Sequence, residues 1–95
     1  MKENNQKGLI VKIEISKIDL RETLIFAFRY ALGRTSMAPF GVTTIIKDHI
    51  SIMSEFDKEQ MIMDIEQTIE RGDAGMACDI ALWTEFAEYL KTKKD

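Results

Sequence analysis

The hydrophobic residues of this chain fall into one alternating stretch followed by several stretches at helical spacing. Between Asp19 and Arg34 the sequence DLRETLIFAFRYALGR puts Leu20, Leu24, Ala27, Phe28 and Ala31 on one stripe of a helix. Ile25 and Leu32 widen that stripe, and Phe26 and Tyr30 continue it around the cylinder. So few positions remain for water that this segment is expected to be the central helix, wrapped by other elements or by another subunit. Asp19 with Glu22 has capping-box spacing, as does Ser16 with Asp19 one turn earlier, and Gly33 supplies the stop.

Before this helix, Leu9 to Ser16 alternates strictly, with Leu9, Val11, Ile13 and Ile15 on one side, which predicts a half-buried strand. No second segment alternates comparably, so the strand lacks an evident partner in its own chain. Its ladder is expected to be completed either by the same strand of a second chain, giving a homodimer through residues 9–15, or by the turn at Thr35 to Ala38.

After Gly33, Pro39 suits the first turn of a second helix running to about Ile50, with Val42, Ile45, Ile46, His49 and Ile50 inward. Ser54 and Asp57 form an N-cap pair for a third helix that stops at Gly72 and buries Ile62, Ile65 and Ile69. Met61 and Met63 lie about 200° apart on that helix, so one of them borders solvent or a partner. A fourth helix, capped by Asp79, turns Ile80, Trp83, Phe86, Ala87 and Leu90 inward. The expectation is therefore a mainly α, four-helix domain with one N-terminal β-strand. Its helices are placed near 19–33, 39–50, 55–71 and 80–92. The core is expected to hold Leu24, Phe28, Leu32, Ile46, Ile65, Ile69, Trp83 and Phe86. Residues 1–8 are expected as a flexible N-terminus, 9–92 as a single domain and 93–95 as a frayed tail.

Ninety-five residues suffice to bury about two-thirds of the unfolded surface without staples. The single cysteine, Cys78, cannot close an internal disulfide, and no stretch approaches 18 consecutive apolar residues. Together with a polar start that has no apolar signal region, this argues against secretion and membrane spanning and makes the cytoplasm the expected location. The net charge of −3 conceals a division, since residues 1–50 carry +3, residues 54–79 carry −6 and the remainder is neutral. Such a division orients a charged partner or simply solvates two faces.

Familiar chemistry is missing. Neither GxxxxGK[ST] nor GxGxxG occurs, and one histidine with one cysteine cannot supply a zinc site, so no cofactor, metal or catalytic residue is expected. The acidic helix lacks the glycine and oxygen-ligand spacing of a calcium loop. The candidate binding residues are Arg29, Tyr30 and Arg34, an arginine and aromatic rim for an anionic group, with Met63 as an adaptable apolar contact. Arg29 has the alternative of reaching a carboxylate such as Glu22 on its own helix. A nucleic-acid regulator using Arg21, Arg29, Arg34 and Lys47 is the rival to a protein-binding role.

The run from Phe28 to Arg34, FRYALGR, followed by Thr35 and Ala38, resembles small uncharacterised proteins encoded by phages and prophages of Gram-positive bacteria. In that group a second arginine follows the first, where this chain has Thr35, so a paired-arginine anion site is not implied. The resemblance implies an accessory protein of a mobile element. The expected role is that of a non-enzymatic binder of a host or phage protein, one version being inhibition of a host defence nuclease through the acidic face.

Overall fold

The computed structural model describes residues 16–34 and 37–93. Four helices account for most of them: α1 (Lys17–Ala31), α2 (Met37–Asp48), α3 (Glu55–Glu70) and α4 (Ala77–Thr92), with a 3₁₀ turn at Ile50–Ile52. The mainly α architecture is as expected. No strand occurs among the described residues, and the strand expected over Leu9 to Ser16 lies outside them except for Ser16. Ser16 instead caps α1, its side-chain oxygen accepting from the Asp19 N–H at 3.0 Å, so the earlier of the two possible caps is the one used.

Helix boundaries depart from expectation for local reasons. At the end of α1, Leu32 (φ −65°, ψ 121°) and Gly33 (φ +91°) are the central residues of a type II turn closed by the Arg34 N–H on the Ala31 carbonyl. The helix therefore ends two residues before the glycine. Gly72 (φ +80°) ends α3 in a different way, donating to the Ile69 carbonyl while Asp73 donates to Thr68, a Schellman pairing. Pro39 lies inside α2, which begins two residues before it, and Thr43 donates its hydroxyl to the Pro39 carbonyl. Asp79 is not the cap of α4 but its third residue, reaching back to accept from the Met76 N–H at 2.9 Å. His49, expected to face inward, is exposed in the turn after α2.

The centre of the fold is α4 rather than α1. Trp83, Phe86 and Leu90 are fully enclosed, α2 and α3 pack directly on α4, and α1 reaches it through Phe28. The Phe28 and Trp83 rings meet edge to face with centroids 5.5 Å apart, and Phe86 joins both. Leu24, Ala31, Ile46, Met53, Met61, Ile62, Ile65, Ala74 and Ala87 complete this core, whereas Leu32 and Ile69 are only half-buried. The Trp83 indole Nε1–H is enclosed with no acceptor among the described residues.

The outer side of α1 is the main surprise. Phe26, which the apolar sequence suggested would be covered, stands in solvent, as does Tyr30, a member of the expected rim. No helix among the described residues is long and apolar enough to cross a membrane.

Candidate binding groove between α1 and α3

Two contacts set α1 beside α3, a polar one at the first end and a close backbone approach at the other. At the first, Arg21 forks onto Asp57, Nε donating to Oδ2 at 2.6 Å and an Nη to Oδ1 at 2.7 Å. Asp57 is also the third residue of α3, where it accepts from the Ser54 N–H while Ser54 Oγ accepts from the Asp57 N–H. One carboxylate thus satisfies a helix N-terminus and a guanidinium together. Its side chain is only 3% exposed. Hydrogen bonding to Arg21 holds its pKa down at about 2, with the Ser54 contacts helping and burial opposing. The same pair raises the Arg21 pKa. At the other end, Gly33 lies against the loop after α3, where an added Cβ would sit 3.2 Å from the Asp73 carbonyl oxygen.

The two helices consequently run side by side in the same direction with a groove between them. Its first half is a cleft of about 300 Å³ floored by Phe28 and Met61, both core residues. Ile25 and Phe26 form the α1 wall and Phe56 stands on the α3 side. Phe26 is 74% exposed and Phe56 71%, so two phenylalanines flank an apolar floor with nothing among the described residues covering them. Glu22, Arg29, Gln60 and Asp64 supply polar groups along the rim. Arg29 and Asp64 also line the second half, about 360 Å³, which continues past Leu32 and Gln67 to Arg71 and Asp73.

Of the four residues singled out in the sequence, Arg29 is central to this groove. It is exposed and makes no hydrogen bond or ion pair among the described residues, so the expected tie to Glu22 is not formed. Tyr30 and Arg34 are held elsewhere: the Arg34 guanidinium lies 4.7 Å from the centroid of the Tyr30 ring, and neither residue lines the groove. The three-residue rim is therefore divided. Met63 is half-exposed on the outward face of α3, over a shallow hollow shared with Glu66, Gln67 and Glu70, while Met61 is buried.

Sequence reasoning missed Phe56, Phe26 as a wall, and the Arg21–Asp57 fork. Phe56 carried a readable signal, since it falls off the Ile62, Ile65, Ile69 stripe and so points away from the core. Arg21 and Asp57, 36 residues apart, carried none. The basic residues of the N-terminal half do not converge either. Arg21 is committed to Asp57, Arg34 to Tyr30, and Lys47 is half-buried with its Nζ 5.2 Å from the Tyr89 ring centroid.

No protein-family model matches the chain, and comparison with the curated proteins and with the solved structures gives no match.

Proposed function

We propose that this domain is a non-enzymatic interaction protein that holds a protein partner in the α1–α3 groove. The observation that carries this reading is the pair of uncovered phenylalanines, Phe26 and Phe56, flanking a floor of core side chains. Leaving two aromatic rings in water forgoes the free energy of burying them, which a partner's apolar side chains recover on binding. The groove suits the apolar face of an amphipathic helix. Arg29 calls for a carboxylate on that helix, and Asp64 with Gln60 for a donor beside it.

The FRYALGR resemblance supports reading such a binder as a phage or prophage accessory protein acting in the cytoplasm. Inhibition of a host defence nuclease would use the acidic outer face of α3, where Met63 lies between acidic side chains. The nucleic-acid reading has less behind it, because phosphate contacts need free cations on one surface and Arg21, Arg34 and Lys47 are each engaged in different places.

Affinity capture from lysate of the encoding cell, comparing the wild type with a Phe26→Asp/Phe56→Asp double variant, tests the proposal. A protein retained by the wild type and released from the variant is the expected result. Equal retention by both sinks the groove, and recovery of nucleic acid that disappears as salt rises sinks the protein-binding reading.

A further inference from the structure

A second surface, on α2, is built differently from the groove. At 100° per residue, Met37, Phe40, Gly41, Thr44, Ile45 and Asp48 fall within an arc of about 140°, opposite the buried Pro39, Thr43 and Ile46. Met37 is 78% exposed, Phe40 58% and Ile45 48%. Thr44 donates its hydroxyl to the Phe40 carbonyl at 2.8 Å, so its donor is satisfied within its own helix. No charged residue occurs from 35 to 46. An outer helix face is ordinarily the charged one, and here it is apolar.

Gly41 sits in the middle of this face. Its φ is not positive and an added Cβ would meet nothing within 4 Å among the described residues, so neither backbone conformation nor packing among them accounts for a residue that weakens a helix relative to alanine. A glycine on an open apolar helix face allows another backbone to approach closely at that point.

We propose that the outer face of α2 docks a second copy of this chain, with the two α2 helices antiparallel and crossing at Gly41. Charge placement selects this occupant and this direction. Asp48 lies at the C-terminal end of its own helix, where the helix dipole disfavours a carboxylate, and the first turn of α2 contains no acidic residue. An antiparallel crossing at Gly41 sets Met37 opposite Ile45 of the second copy and carries Asp48 to the second copy's α2 N-terminus, where a carboxylate is favoured. The uncharged stretch between then meets an identical uncharged stretch, the self-complementarity that a two-fold contact requires. One 12-residue helix covers less than the roughly 800 Å² that a standard interface takes from each partner, so the dimer is weak and reversible. It leaves the α1–α3 groove open and does not depend on the function proposed for it.

Sedimentation equilibrium of the full chain from micromolar to near-millimolar concentration tests this, with Gly41→Leu and Phe40→Glu alongside. The wild type should pass from monomer to dimer, and each variant should weaken that association at least about tenfold while keeping its helical circular dichroism. Gly41→Leu separates the dimer from folding, because leucine improves a solitary helix and obstructs only a crossing one. A wild type that remains monomeric throughout, or a dimer indifferent to both substitutions, overturns the proposal.

Discussion

Arg21 and Asp57 are joined by two parallel hydrogen bonds, 2.6 and 2.7 Å long, across 36 residues of sequence. The carboxylate is enclosed while the guanidinium remains about a third exposed, so loss of either partner has unequal consequences. Arg21→Ala leaves Asp57 buried without its cation and is expected to destabilise the fold, by less than the loss of a partner from a wholly buried pair because water reaches the Arg21 side. Asp57→Ala also removes the contact to Ser54 and should cost about 1 kcal/mol more. Urea unfolding of both single variants and the double variant gives the coupling. Single effects that simply add in the double variant would show that the fork contributes nothing.

The same contact sets a pH dependence. Asp57 has its pKa lowered to about 2, so the stabilisation is complete above the unfolded value near 4 and is lost as pH falls through the folded value. It amounts to roughly 2 kcal/mol, concentrated between about pH 4 and pH 2. Asp57→Asn, which lacks the titration, should melt well below the wild type at neutral pH and approach it near pH 2. A melting gap that stays constant with pH would rule out Asp57 as the source.

Phe28 and Phe26, two residues apart on α1, should respond oppositely. Phe28 is enclosed against Trp83 and Phe86, and its truncation to alanine should cost about 3 to 5 kcal/mol. Phe26→Ala, at an exposed wall, should change stability by no more than about 0.5 kcal/mol. Guanidinium unfolding followed by Trp83 fluorescence measures both, and comparable losses would contradict the orientation of α1.

Lys58 makes an unusual closure. Its side chain is 93% covered, and its Nζ donates to the carbonyl of Lys93 at 2.6 Å, just past the end of α4, while pairing with Glu55 at 3.0 Å. A cation at a helix C-terminus satisfies an orphan carbonyl and the dipole together. Lys58→Met keeps the packing of the stem and removes the charge, and should cost about 1 to 2 kcal/mol. Hydrogen exchange should quicken first in the last turn of α4. Unchanged protection there would mean that the contact holds nothing in place.

The helices could be read from the sequence because local signals agree with the core pattern. Ser16 and Ser54 mark starts, Gly33 and Gly72 lie just beyond ends, and Leu24, Phe28, Ile46, Ile65, Trp83 and Phe86 recur at the helical period. The groove was only partly legible. Arg29 stood out as an arginine within an apolar helix, but its separation from Tyr30 and Arg34 follows from how α1 is rotated, which a helix apolar almost all round does not specify. Lys58 was indistinguishable from any surface lysine, since its burial depends on where the end of α4 comes to lie. Pairings across tens of residues, Arg21 with Asp57 and Phe28 with Trp83, leave no periodic trace.

The floor and the walls of the α1–α3 groove differ in what they owe to folding. Phe28 and Met61 belong to the core, so substitution there is constrained by stability before any partner is considered. Phe26 and Phe56 make up the walls and are almost free of that constraint. Single substitutions at these two positions can therefore reshape the rim without compensating changes elsewhere, and the groove's preference is open to neutral drift while its depth is not.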